Sequence, residues 1–409
     1  SSLTSIGNAG GTTVVDTELK AKQNDWITDE AYDRITSGTY INEERKISSL
    51  DNSTGTLTVL AHGGQIASAV TYELHRIWTA TEKARALIAA ARSGFPYIHK
   101  KIDWQSRRAG NWLLNGDVET WTVSTVPDSW TRTTVTAAKN TTKPYYLYGT
   151  GSMKLSTAAG NVKQSSTNNL FMIHLAGKTV TFRARGWCDT ASCLRLAIYD
   201  GTTRTYSSYH AGDSAWEYPS DNILKVEIAI KKNPSQVAFE VYHDVAAGVS
   251  YVEDLRVTGP VQDRTYIGDM SLASDYPMEV YETSEDNIFN DNWKRITNYS
   301  LDKDGYLHTP TAGSDYFLRV KGLGYLDFVD TNGASSSAWT ATIDINSPQT
   351  DILVAEAMEY LYSQMVLPNL TSGNAQEFLN GLQLWNSRLR QRRVKFSMPL
   401  PPVGKTWPV

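Results

Sequence analysis

From Asn111 to Thr258 the chain shows no helical periodicity. Short runs rich in apolar residues follow one another: Ser152–Ser156, Thr179–Trp187, Leu194–Tyr199, Leu224–Lys231, Val237–His243 and Tyr251–Val257. Turn-forming residues separate them. Strand-length runs without intervening amphipathic helices have no means of covering a parallel sheet, so they predict an all-β sandwich. The ends of a sandwich lie close together, and such a domain can be inserted into a loop of another. A chain of 409 residues is also too long for one ordinary core.

The flanks read differently. Before residue 106, Ala31–Ile41, Arg45–Leu50, Thr56–Leu60 and Val70–Trp78 are strand candidates, and Asp51–Gly55 is a turn. Thr79 or Thr81 caps a helix, Glu82–Ser93, whose expected buried face is Ala84, Leu87, Ile88 and Ala91. After residue 259, strand candidates occur at Met278–Tyr281, Trp293–Ile296, Tyr306–His308, Tyr316–Lys321 and Trp339–Ile345. Two amphipathic helices follow. The first carries Val354, Met358, Leu361 and Met365 on one face, entered through Ser347-Pro348. The second carries Phe378, Leu382, Trp385 and Leu389, with Asn374 and Glu377 as a loose capping box. Neither flank can bury its apolar faces alone. The expected architecture is therefore multidomain α+β. Residues 1–105 and 260–387 form a composite domain of a small β-layer plus helices, split by an inserted sandwich, 106–259. Residues 388–409 form an extended basic, Pro-rich arm. Arg388, Arg390, Arg392, Arg393, Lys395 and Trp407 are its partner-binding candidates.

Composition narrows the function. A net charge of −4 argues against global nucleic-acid binding. Twelve Trp and 22 Tyr favour β-structure and aromatic contacts. Cys188 and Cys193 are the only cysteines, so a disulfide framework is excluded; the pair either closes a small hairpin bridge or stays reduced, and reduced thiols are the expectation. No secretory hydrophobic region and no apolar run of bilayer length occur, so no membrane partner is expected. G-x-S-x-G, H-E-x-x-H, a phosphate-cradling loop and C-x-x-C are all missing, and the seven histidines show no metal-ligand spacing. Asp302–Gly305 reads as a β-turn, because the downstream bidentate Glu of a calcium loop is missing. No catalytic residues are assigned and the expectation is a protein that is not an enzyme, although two carboxylates suffice for glycoside hydrolysis and the chain has 43 acidic residues.

Two resemblances add to this. Asn115–Glu119 with Trp121, Pro127–Trp130, Gly151–Leu155, Thr179–Trp187 and the closing Tyr251–Val257 resemble a jelly-roll carbohydrate-binding module. That family implies glycan binding through exposed aromatics, with Trp187 and Trp216 as lead candidates beside Trp112, Tyr206 and Tyr209. It also implies a structural calcium on Asp117, Glu119 and Asp254, the one cofactor envisaged. The closing motif here is Glu253-Asp254 where the family has paired aspartates.

The flanks are similar to head-to-tail adaptor (connector) proteins of tailed bacteriophages. The similarity is carried by Tyr72–Arg76, Thr79–Arg92, Tyr316–Gly324 and Thr350–Val366. That resemblance implies a non-enzymatic virion protein at the head–tail interface, assembled in the bacterial cytoplasm. It further implies a dodecameric ring beneath the portal, contacts to tail or nozzle proteins, and DNA passing through the channel without sequence specificity. The alternatives are a carbohydrate-binding or carbohydrate-active protein and, within the virion class, a head decoration or tail-fibre anchor protein.

Overall fold

The computed structural model describes residues 1–22, 30–219, 223–260, 263–273, 279–284, 292–312, 316–330, 333, 335–366, 368–369 and 375–399. The chain divides into two compact units. One comprises Ser1–Ile98, Leu326–Phe328 and Ser337–Leu400; the other comprises His99–Tyr325 and Val329–Ser336.

The first unit holds a five-stranded antiparallel sheet in the order Thr13–Val15, Thr56–Val59, Glu44–Asp51, Tyr32–Ile35, Tyr72–His75. Val14, Ile35, Ile47, Leu57 and Tyr72 fill its core. The turn into Thr56–Val59 requires Gly55, at φ +76°, because a Cβ there would stand 2.2 Å from the Asp16 carbonyl oxygen. Helix α1 (Ala80–Ser93) begins with a capping box between Thr79 and Glu82, and the Glu44 carboxylate accepts from the free Ala80 and Thr81 N–H groups.

Helices α2 (Thr350–Val366) and α3 (Ala375–Phe396) share a core with α1. The fully buried face of α1 is Ala80, Ala86, Ala90 and Ala91; of the expected stripe Ala91 is buried and Leu87 packs against the core, whereas Ala84 and Ile88 are only half-buried. Alanines on both sides, with Ala355 and Ala357 on α2, let the two helices approach closely. Packed by α1 and α3 together, α2 buries Ile352, Leu353, Ala355, Glu356, Ala357 and Leu361, while Val354 is 45% exposed. The stretch from residue 388, expected as the start of an extended arm, is helical through Phe396. Arg, Gln and Lys are strong helix formers, Leu389 keeps the apolar period, and Arg393 and Lys395 complement the dipole in the last turn. Asn374, Trp407 and the rest of the Pro-rich tail from residue 400 lie outside the described residues. Among the described residues no helix is long and apolar enough to cross a membrane.

The second unit contains the sandwich. One antiparallel sheet runs Arg204–Tyr206, Leu194–Tyr199, Ala238–His243, Gly160–Ser165, Thr131–Thr133. The other runs Trp216–Glu217, Thr179–Cys188, Ser250–Thr258, Ser152–Ser156, Thr136–Asn140, and Lys225–Ala229 also pairs with Thr179–Cys188. Val162, Phe182, Leu196, Phe239, Val241 and Val252 interdigitate between the sheets. Lys100–Arg108 belongs to a third sheet, paired along Phe317–Gly324 and followed by Glu279–Thr283 and Lys294–Ile296. This long pairing joins Lys100–Arg108 and Phe317–Gly324 within the unit that holds the sandwich.

Candidate functional site

Alternation along two central strands builds a polar aromatic face. In Leu194–Tyr199, Leu194, Leu196 and Ile198 enter the core, so Arg195, Ala197 and Tyr199 point outward. In Ala238–His243, Phe239 and Val241 point inward and Glu240 and Tyr242 outward. Cross-strand register then aligns the outward residues. Arg195 faces Tyr242, Tyr242 faces Asn161, and Ala197 lies between Tyr206 and Glu240. Buried Ala197 is a low point between larger side chains.

The large groups on this face hold one another. The Tyr206 and Tyr242 rings meet edge to face at 5.4 Å. The Arg195 guanidinium lies 4.0 Å from the Tyr206 ring centre and 4.5 Å from that of Tyr209, and its Nε is 2.8 Å from Asp244 Oδ2. Tyr209 donates to the same Asp244 oxygen at 2.8 Å. Arg204 donates from Nε to Glu240 at 2.8 Å and stacks over Tyr199 at 4.5 Å. Tyr242 donates its phenol to Glu240 at 2.9 Å. Burial, then the Glu240 charge, push the Tyr242 phenol well above its usual range, and burial with the Asp244 bond raises Tyr209. Both phenols therefore stay neutral donors at physiological pH. Tyr206 is the most open ring, 40% exposed. Ring faces beside fixed guanidinium and carboxylate groups suit a ligand with apolar C–H faces and a rim of hydroxyls.

Of the aromatics expected from sequence, Tyr206 and Tyr209 lie on this face. Trp112 is core, 7% exposed. Trp187 and Trp216 sit opposite each other in the other sheet, both half-buried. Tyr145 packs edge-on to Trp187 at 5.0 Å and stacks on Tyr251 at 4.4 Å, and Trp216 donates to the Pro144 carbonyl at 3.0 Å. The segment around Tyr145 thus covers much of that pair. Sequence reasoning missed Tyr199, Tyr242, Arg195, Arg204 and Glu240. The signal was present: each central strand alternates, and the outward set is aromatic or charged.

The three expected calcium ligands are each engaged by protein donors. Asp254 sits in a β-bulge at φ +50°, where the pairing slips between Arg183 and Arg185. It receives Arg108 at 2.9 and 2.7 Å and Arg185 at 3.2 Å. Asp117 accepts from Trp104 Nε1 at 2.8 Å and from Ser106, with Arg107 Nε 3.3 Å away. Glu119 accepts from the Thr150 and Gly151 N–H groups and lies 3.3 Å from Lys139. Guanidinium groups beside Asp254 and Asp117, and the Lys139 ammonium beside Glu119, already give these carboxylates cationic partners.

The carboxylate–histidine group that does converge among the described residues is His210, Asp213 and Glu217, with ligand atoms within 4.8 Å. The Nδ1 of His210 already accepts the Gly212 N–H at 2.9 Å, and its Nε2 lies 3.2 and 3.1 Å from two carbonyl oxygens. The ring is therefore the Nε2–H tautomer with no lone pair left for a metal.

The arginine segment is spread around α3. Arg393 donates to the buried Glu356 at 3.0 Å from its Nε, Arg388 and Arg392 flank Trp385, and Lys395 lies over Phe396. Arg390 is exposed.

No protein-family model matches the chain, and no curated protein matches it. Three similar solved structures can be named. The enzymatically active domain of tailspike protein 4 of bacteriophage CBA120 is 13% identical, with 37% of this chain and 21% of that one covered and a TM-score of 0.27. The chain thus spans about a fifth of that tailspike domain. A family 61 carbohydrate-binding module in complex with β-1,4-galactotriose is 13% identical over 36% of this chain and 97% of that one, at a TM-score of 0.25. The CBM22-1 xylan-binding domain of Paenibacillus barcinonensis Xyn10C is 12% identical over 38% of this chain and 97% of that one, at a TM-score of 0.28. None of these three is a connector protein.

Proposed function

We propose that the sandwich binds carbohydrate on the outer face of Leu194–Tyr199 and Ala238–His243. The observation that carries this reading is the set of four tyrosines, 199, 206, 209 and 242, held on one sheet face by Arg195, Arg204, Glu240 and Asp244. A fixed ring costs little entropy on binding and offers its face to a sugar's C–H surface. The neighbouring charged groups keep donors and acceptors at the rim for hydroxyls. Under this reading the ligand is a neutral glycan chain, because the Arg195 and Arg204 guanidiniums beside the rings are paired with Asp244 and Glu240.

The test is calorimetry and affinity electrophoresis of the full chain on xylan, galactan and β-glucan. Tyr206→Ala is expected to weaken binding about tenfold, from the loss of roughly 1–1.5 kcal/mol of ring stacking. Tyr218→Ala, just beyond the edge strand Trp216–Glu217 of the other sheet and 53% exposed, is expected to leave it unchanged. No binding to any of the polysaccharides, or loss on altering Trp187 or Trp216 with Tyr206 indifferent, overturns the assignment.

A further inference from the structure

The sandwich interior contains a reactive cluster that glycan binding does not use. Cys188 ends its strand, and Cys193 immediately precedes the next, Leu194–Tyr199. Both are fully buried, yet the turn between them, Asp189–Ser192, is exposed apart from the half-buried Thr190. The two sulfurs converge on one hydroxyl: Ser250 Oγ is 3.3 Å from Cys188 Sγ and 3.6 Å from Cys193 Sγ. Both sulfurs thus lie beside the same hydroxyl. His243 completes the group, with Nδ1 3.2 Å from Cys193 Sγ and 3.0 Å from Ser250 Oγ. Both cysteines are free thiols.

We propose that Cys188 and Cys193 are a redox pair that closes to a disulfide across the Asp189–Ser192 turn, with a peroxide as the oxidant. In the first step the Cys188 thiolate attacks a peroxide oxygen and the O–O bond breaks. This gives a sulfenic acid on Cys188 and hydroxide, which takes up the displaced thiol proton as water. In the second step the Cys193 sulfur attacks the Cys188 sulfur and the S–O bond breaks. The leaving hydroxide receives the Cys193 proton by way of His243 Nδ1. Two thiols and one hydrogen peroxide thus become one disulfide and two waters, and the two electrons pass from sulfur to oxygen.

The cluster divides these roles. The adjacent Cys193 thiol, ahead of the opposing effect of burial, lowers the Cys188 pKa and favours its thiolate as nucleophile. The adjacent Cys188 sulfur and burial raise Cys193, which keeps its proton until the second step. Burial lowers His243, leaving it neutral and able to accept that proton. A second consequence rests on the glycan-face reading. The Cys193 carbonyl accepts the Asp244 N–H at 2.7 Å, and Asp244 anchors Arg195 and Tyr209. Closing the bridge therefore acts on the edge of that face.

The full chain is treated in its native state with hydrogen peroxide, quenched with catalase, unfolded, alkylated with iodoacetamide and digested with trypsin. Both cysteines fall in one peptide, Gly186–Arg195. The expected product is that peptide, unalkylated and lighter by two hydrogens, restored to two alkylatable thiols by dithiothreitol. Cys193→Ser is expected to stop at the first step and yield a dimedone-reactive sulfenic acid on Cys188. Two alkylatable thiols after peroxide, or oxygen added to sulfur without the loss of hydrogens, overturns the proposal. Neither readout depends on glycan binding.

Discussion

Replacing Asp254 by alanine tests how the second unit is held together. The carboxylate lies between two guanidinium groups, and Asp254, Arg108 and Arg185 have side chains only 3%, 3% and 2% exposed. Arg108 is further fixed over the Phe317 ring at 3.5 Å, and Arg185 over Tyr218 at 4.3 Å, so neither can turn to water without leaving its packing. Removing one partner of a buried ion pair costs about 3–5 kcal/mol, because the remaining charge stays buried. Here two cations of like sign lose their shared anion. At about 2–4 °C per kcal/mol for a unit of this size, the melting temperature of Asp254→Ala is expected to fall by roughly 6–20 °C. Calorimetry and near-ultraviolet circular dichroism at neutral pH would measure it.

The pH dependence gives a second check on the same residue. Burial raises the Asp254 pKa, but the charges of Arg108 and Arg256 outweigh it and hold the carboxyl below its usual range. The stabilisation is then complete above the unfolded pKa of about 3.9 and disappears as pH falls through the folded value. The gap between wild type and Asp254→Ala should stay constant from neutral pH down to about 4 and close below that. A loss under about 1 kcal/mol, or a gap that has already narrowed at about pH 6, would refute the argument, since both outcomes mean that the guanidiniums find water or other anions.

Three further outcomes are expected. Burial, ahead of the opposing Leu147 and Tyr148 N–H bonds, raises the Glu253 carboxyl from 4.5 to about 8. The folded state therefore holds this proton where the unfolded state has lost it. Stability is full below the unfolded value and declines as pH rises toward 8, by up to about 1.4 kcal/mol per pH unit, and Glu253→Gln should flatten that decline in urea titrations. Arg393→Ala leaves the carboxylate of Glu356, 5% exposed, without its cation; because the arginine is partly solvated, a loss of about 2 kcal/mol is expected in denaturant unfolding of the first unit. Gly149→Ala places a Cβ 1.9 Å from Glu119 Oε1 at φ +61°, and should cost about 2–4 kcal/mol, whereas Gly10→Ala, with nothing within 4 Å, should be nearly neutral.

Periodicity made the regular parts legible. Leu194–Tyr199 and Ser152–Ser156 are strands over the residues their alternation marks, and of the two cap candidates, Thr79 and Thr81, the structure uses Thr79. Short polar edge strands such as Thr131–Thr133 and Arg204–Tyr206 were not legible, since three exposed residues carry no apolar pattern. The faces of α1 and α2 were read only in part: Leu87, Ala91, Met358, Leu361 and Met365 do pack in the core, but Val354 is exposed and the buried alanines were missed, for a related reason. A period marks which large apolar residues share a side, whereas alanines mark where two helices come closest, and close approach decided burial here. At the candidate site, Tyr206 and Tyr209 stood out as aromatics, but their companions did not. Tyr242 and Arg195 reach them only through cross-strand register, which is a property of pairing and not of either strand alone.

The same bulge that seats Asp254 also explains why the unit does not end where the sandwich does. A regular strand sends consecutive residues to opposite faces. In Ser250–Thr258, Val252, Leu255 and Val257 all point into the core, so the extra residue within the bulge leaves Glu253 and Asp254 outside it together. One of these carboxyls secures the Leu147–Tyr148 backbone, while the other reaches Arg108 on Lys100–Arg108. That strand is also paired along Phe317–Gly324. The buried charge of Asp254 is thus shared between the sandwich and the third sheet. Cutting the chain at residue 106 would split Lys100–Arg108 within its pairing to Phe317–Gly324 and separate Arg107 and Arg108 from the rest of their own strand. Sandwich and third sheet should accordingly unfold in one transition, with the polar aromatic face carried on the far side of the sandwich from this junction.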